Sequence, residues 1–335
     1  MFIMNKLYSL TLLLITVLFV KAQTLPVDGV NYTVDTLENH MVGPGTQYVS
    51  LRLTAPAKRL DVYFLKTDLK NPHVEIRTAL GRDSIYGGEP TSVLAKRIST
   101  EKNFYFAGTN GDFYVTSGYV GYPVSGNMAD GEIARIPGSR NVFTVDEQKI
   151  PDIGIMSYDG NIKFGTETWQ INSVNHLREE NKLVLYNRHN GKYTRTNAYG
   201  TEVLIELLDG YTWGSNKTLK AKVLKVEKGV GNMAIPKGKA ILSGHGTAAA
   251  SLDLLSLNDE IDIRLNLSVN SNSTSNFLQM TGGDNYKTML LNGVVEQTSV
   301  WNELHPRTGL GFSQTKDTII FCVVDGRGLS IGATT

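Results

Sequence analysis

The chain has 335 residues, and its 33 basic and 32 acidic side chains give a formal charge of +1. That balance excludes a general nucleic-acid binder, which would carry a basic surplus or a basic stripe. The single cysteine, Cys322, excludes an internal disulfide, so a core large enough for one big domain or roughly two ordinary ones must hold the fold.

The first residues read as an export signal. Lys6 supplies a positive start, Leu7 to Val20 form an almost unbroken apolar stretch, and Val20-Lys21-Ala22 offers a cleavage site before Gln23. The stretch is short for a membrane span and no second one follows, so no stable membrane insertion is expected after cleavage. No cysteine adjoins the site to carry a lipid. The expected location is periplasmic, cell-surface or secreted. Removing Lys6 and Lys21 leaves 31 basic against 32 acidic side chains, a charge of −1.

Residues 23–58 read as a β-rich lead-in. Within it "QYVSLRL", and after it "RLDVYFLKTDL" and "HVEIRTAL", alternate or cluster branched and aromatic residues between Pro, Gly and Asn, the signature of strands. "PTSVLAKRIST" is the clearest helix, led by Pro90, with Thr91 and Ser92 as candidate caps. "NFYFAGTNGDFY" follows as an apolar strand opening into a glycine turn. "KLVLYNRHNGKYTRTNAYGTEVLIELL" reads as a long hairpin system, and "DEIDIRLNLSV" alternates with a period of two. "SVNSNSTSN" is a polar loop, "YKTMLLNGVVEQ" carries the Asn-Gly hairpin signal, and "DTIIFCVVDGRG" is an apolar strand that ends on charge, with Cys322 as a small core residue. The sum predicts a β-rich α+β protein, a mixed sheet with flanking helices in one compact domain.

Several catalytic signatures are absent: Gly-x-Ser-x-Gly, His-Glu-x-x-His, Cys-x-x-Cys and a phosphate loop ending in Gly-Lys-Ser/Thr. The six histidines are scattered, so no histidine-built metal site and no cofactor are expected. His245 sits in a glycine turn, and His40, His73, His176 and His189 have no partner pattern. What recurs is polar chemistry at the end of an apolar strand. "FYFAGTNGD" delivers Asn110 and Asp112, "IIFCVVDGR" delivers Asp325 and Arg327, and "HPRTG" sets His305 and Arg307 on either side of Pro306. Strand ends hold side chains at small entropic cost, and glycines there admit a ligand to the backbone. Two acids, two arginines, an imidazole and an amide suit an anionic, oxygen-rich substrate, with arginine offering its fork to phosphate. Asp-Gly and Asn-Gly are also ordinary turn dipeptides, so each motif alone is compatible with a surface turn.

Taken in order, these motifs resemble the phosphodiester glycosidase family over residues 59–335, which the resemblance implies form one catalytic domain. "GTNGDFY" with "GYPVSGNMADGEI" is similar to the family's Asn-Gly-Asp segment and its downstream Gly-x-Pro and Asp-Gly. "VNHLREENKLVLYNRHNGKYTRTNAYGTEVLIE" resembles its scaffold middle, and "MTGGDNYKTMLLNGVV", "HPRTGLGFS" and "VVDGRG" its closing run. The resemblance implies an exported hydrolase that cleaves a sugar-1-phosphodiester, of the α-N-acetylglucosamine-1-phosphate diester type, at the glycosidic carbon–oxygen bond and releases free sugar. It implies Asp112, His305 and Asp325 as catalytic residues and Asn110, Arg307, Thr308, Arg327 and Gly283 as substrate-binding ones. Arg307 and Arg327 would grip the phosphodiester, Asp112 or Asp325 would support the sugar cation or an attacking water, and His305 would donate a proton or bind phosphate. Two departures stand out: the family continues past Asp-Gly-Arg through a helix to a glycine-rich turn, so the chain reads as cut short at Thr335, and Asp284 follows Gly283 where a small residue is common. A non-catalytic phosphoglycan-binding module on the same fold, or a phosphodiesterase cleaving the phosphorus–oxygen bond, would use the same residues.

Overall fold

The computed structural model describes residues 23–270, 275–284, 288–296 and 302–334. The expected export signal and residues 271–274 of the "SVNSNSTSN" loop lie outside these residues. The architecture is the expected β-rich α+β arrangement, dominated by two sheets.

The six-stranded sheet begins as a meander of Thr24–Val27, Val30–Gly43, Thr46–Ala55 and Lys58–Asp68. Its turns sit where the chain supplies residues that tolerate a left-handed backbone, such as Asp28 and Gly29 at φ 47° and 70°. The C-terminal strand Thr318–Val324 then pairs antiparallel with Lys58–Asp68, and Arg307–Phe312 pairs with Thr318–Val324 on the outer edge. Residues 23–58 therefore contribute strands to the same sheet as the C-terminal motifs.

The twelve-stranded sheet holds the larger core. Glu260–Val269 shows why it forms: isoleucine, leucine and valine occupy every second position, and those positions are the buried ones. Most pairings are antiparallel, with a parallel pair between Ser173–Val174 and Leu183–Tyr186 making the sheet mixed. Its far end, Asn141–Asp146 beside Phe277–Gly282, packs against the six-stranded sheet through Phe143, Val145, Ile319 and Leu69. That junction places the Gly282-Gly283 turn beside the ends of the C-terminal strands.

Two helices lie outside the sheets, Thr91–Ile98 and Thr247–Leu252, and no helix among the described residues is long and apolar enough to cross a membrane. The first matches the sequence reading except at its start. Pro90 is the cap position and no side chain caps it, so neither Thr91 nor Ser92 plays that part.

Three sequence expectations fail for identifiable reasons. Residues 73–80 form no strand, because the Thr78 N–H donates to the buried Gln279 Oε1 at 2.9 Å instead of to a neighbouring strand. Residues 103–110 are likewise unpaired, with Phe104 74% exposed. The expected long hairpin is not one: Leu183–Tyr186 and Gly200–Leu207 both pair with Lys239–His245, which inserts between them. The Asn-Gly hairpin does form, with Leu290–Leu291 antiparallel to Val294–Val295 and Asn292 and Gly293 at φ 50° and 80°.

Candidate active site

The turn that follows Thr109 places Asn110 and Asp112 at the end of strand Phe277–Gly282 in the larger sheet. Asp112 sits at φ 39°, a left-handed conformation that aspartate tolerates better than most residues. Its N–H donates to the Gly282 carbonyl at 3.1 Å, which seats the turn on the end of Phe277–Gly282. The glycine is required there, since a Cβ on Gly282 would lie 2.7 Å from Asp112 Cγ and 2.4 Å from Ser125 Cβ. The Asp112 carboxylate accepts the Phe113 N–H at 2.7 Å through Oδ1 and the Ser125 N–H at 2.8 Å through Oδ2. Burial raises its pKa above the ordinary aspartate value, and the two N–H donors oppose that rise only in part.

From the opposite sheet, the strand Arg307–Phe312 reaches this turn. Thr308 Oγ1 donates to Asn110 Oδ1 at 2.8 Å, tying two motifs that lie far apart in sequence. Arg307 Nε donates to the Ala333 carbonyl at 3.0 Å and Nη2 to the Glu303 carbonyl at 2.9 Å. A guanidinium has five donors, more than these two carbonyls use, so the anchorage orients the fork without exhausting it. The Gly283 N–H donates to the Asn141 carbonyl at 2.8 Å and holds the double-glycine turn open at the same place.

These residues line a cavity of about 1170 Å³ between the two sheets. Asn110, Asp112, Gly283, Arg307 and Thr308 all contribute to its wall. His305, Asp325 and Arg327 are close in the chain fold but do not line it. His305 makes a two-way backbone bridge with Ala333, its N–H donating at 3.2 Å and its carbonyl accepting at 3.0 Å. Asp325 Oδ1 accepts the Arg327 N–H at 3.1 Å, while the Asp325 N–H donates to the Asp61 carbonyl at 2.9 Å. The pairing of Arg307 with Val324 nevertheless brings His-Pro-Arg and Asp-Gly-Arg together at one sheet end, as two chains side by side.

The same cavity contains polar residues that the strand-end argument misses. Arg77 lies 3.2 Å from Glu75 and 3.7 Å from Asp130, and its pKa is raised first by a hydrogen bond with Tyr105. The apolar alternation of "HVEIRTAL" concealed it as one position of a strand. Asn127 also lines the cavity, and its Oδ1 is buried without a hydrogen-bond partner. It falls within "GYPVSGNMADGEI", where no spacing sets it apart from its neighbours. Arg140 lies over the Phe113 ring at 5.4 Å, fixing one aromatic at the mouth. No group of three or more His, Cys, Asp or Glu among the described residues is arranged to hold a metal ion.

Comparison with solved structures gives relatives in fold, two of which are described. An inferred exported protein from Burkholderia pseudomallei superposes with a TM-score of 0.63 at 12% identity, covering 91% of this chain and 86% of its own. A hypothetical protein from Synechocystis superposes with a TM-score of 0.56 at 14% identity, covering 87% of this chain and 52% of its own. At such identities the likeness is one of fold. No curated protein matches the sequence. The segment that supplies the double-glycine turn, His305 to Thr308 and Asp325 to Arg327, is another matter: residues 216–335 match the family model described as phosphodiester glycosidase.

Proposed function

We propose that the chain is an exported hydrolase of sugar-1-phosphodiesters, of the α-N-acetylglucosamine-1-phosphate diester type, that breaks the glycosidic carbon–oxygen bond. The observation that carries the reading is the Thr308–Asn110 hydrogen bond at 2.8 Å. It joins the segment matched to the family with a turn outside that segment, and so builds one wall of a cavity from both. The reaction adds the hydroxyl of water to the anomeric carbon. The bonding pair of the broken carbon–oxygen bond leaves with the phosphate oxygen, and the remaining proton of water ends on the phosphate monoester or in solvent.

In this reading Arg307 binds the phosphate, its fork steadied by the Ala333 and Glu303 carbonyls. Asn110 and Thr308 orient the sugar or the bridging oxygen. Asp112, with a pKa raised by burial, exchanges the proton of the attacking water. Phosphate is a good leaving group, so stabilising its charge contributes more than a strong acid would. Asp325 shapes the turn that holds Arg327, and His305 closes the strand end against Ala333.

The test is incubation with UDP-N-acetylglucosamine and separate quantification of free N-acetylglucosamine and its 1-phosphate. Free sugar, lost in Arg307→Ala, supports the reading. Sugar 1-phosphate would indicate cleavage of the phosphorus–oxygen bond. Absence of either product, with the substrate still raising the melting temperature, would indicate a binding module.

A further inference from the structure

We propose that the alcohol esterified to the phosphate of the substrate carries an aliphatic chain, seated between the aromatic wall of the cavity and the hairpin at Leu290–Val295; this rests on the glycosidase reading of the same site. The cavity, at about 1170 Å³, exceeds the roughly 300–1,000 Å³ that encloses a drug-sized ligand. A sugar phosphate is smaller, and Asn110, Asp112, Arg307 and Thr308 suit it. The rest of the wall is mixed: Glu75, Arg77, Lys102 and Asn127 line it, and so do Phe104, Phe106, Phe113, Tyr114 and Met289. Phe104, Phe113 and Tyr114 are 74%, 53% and 60% exposed, apolar surface open to an occupant.

The hairpin continues that wall. Leu290–Leu291 and Val294–Val295 form a two-stranded ribbon that joins neither large sheet. The ladder is extended by the Glu296 N–H donating to the Met289 carbonyl at 2.9 Å. Strand alternation puts Met289, which lines the cavity, on the same face as Leu291 and its partner Val294. All three are exposed, at 52%, 51% and 60%. The register sets Glu296 opposite Met289 on this face, so the open side of the hairpin is apolar at Met289, Leu291 and Val294 and ends on one carboxylate. Its branched aliphatic side chains offer dispersion contacts to an alkyl chain but no hydrogen-bond partner to the edge of a nucleobase, which favours an alkyl phosphate over a nucleotide as the leaving group.

Two measurements on the full chain test this. The first compares kcat/KM for the methyl, butyl and octyl phosphodiesters of N-acetylglucosamine 1-phosphate. The expected result is a rise of at least about tenfold from methyl to butyl, the scale set by burying a few methylenes. Leu291→Ser with Val294→Ser should shrink the octyl-to-methyl ratio, whereas Leu290→Ser with Val295→Ser, on the opposite face, should leave that ratio unchanged. Equal rates across the three esters, or a preference for UDP-N-acetylglucosamine over the octyl ester, would overturn the proposal. The second is calorimetric binding of octyl phosphate against methyl phosphate, which reads the apolar subsite without turnover. If no ester is hydrolysed but octyl phosphate binds at least about tenfold more tightly, the glycosidase reading fails and the apolar subsite stands. Hydrolysis with no chain-length preference in either measurement would leave the activity and remove the inference.

Discussion

Asp112 holds an uncommon backbone conformation, and both of its carboxylate oxygens accept backbone N–H groups. Asparagine keeps one acceptor and turns its NH2 against the other N–H, so Asp112→Asn should lower the melting temperature. Measured on the folded protein, it should also lower kcat by about a hundredfold or more, the usual scale for a general base. Because burial raises its pKa, the acid limb of kcat/KM should lie above the ordinary aspartate range, with activity gained as pH rises through it. A second residue gives a cleaner sign. His189 is buried, both its ring nitrogens lack partners, and burial followed by the nearby Arg188 charge lowers its pKa to about 3. Glu132 lies 3.8 Å away, but the neutral imidazole leaves Arg188 as its counter-ion. The folded pKa lies below the unfolded value, so the stability His189 confers is present above pH 6.5 and is lost as pH falls toward about 3. The melting temperature of His189→Leu should therefore depend less steeply on pH over that window, and an unchanged slope would contradict the assignment. Asn110 and Asp112 stood out in the sequence only as polar residues after an apolar run, a pattern an ordinary turn also gives, and the structure sets both on the cavity wall. Arg77, Asn127 and His189 were not legible, since their roles depend on what packs beside them.

At the scale of elements, regular patterns predicted the strands well where one face is buried and the other solvated. Glu260–Val269 and Thr318–Val324 appear where the sequence placed them. The pattern failed for residues 73–80, where apolar residues line a cavity and the backbone bonds to the Gln279 side chain. It also failed for pairing order, since nothing local to residues 183–207 announces that Lys239–His245 lies between their two strands. The strand end that brings His-Pro-Arg against Asp-Gly-Arg depends on Gly326, whose Cβ would stand 2.4 Å from the Pro306 nitrogen. That atom belongs to the backbone and cannot swing aside. Gly326→Ala should cost about 1–3 kcal/mol, as overpacking does, and should raise KM by moving Arg307. Denaturant titration together with steady-state kinetics reads both, and a variant with unchanged stability and KM would show that the strand end does not position the arginine.

Across the whole molecule, the two sheets meet through one small apolar cluster, and the cavity opens beside it. Ile319 is fully buried in that cluster and does not line the cavity. Ile319→Ala should destabilise the fold by about 2–5 kcal/mol, measured by denaturant unfolding, and should reduce activity only through the loss of folded protein. The class of fold was readable from the sequence because strand periodicity and turn residues are local properties. The junction of the sheets was not, because it is made by residues far apart in the chain, such as Leu69, Phe143 and Ile319. The proposed chemistry turns on which bond breaks. Turnover of the methyl phosphodiester of N-acetylglucosamine 1-phosphate in oxygen-18-labelled water, followed by mass spectrometry of both products, tests it most directly. The account predicts that the label enters free N-acetylglucosamine; label found in methyl phosphate would contradict it.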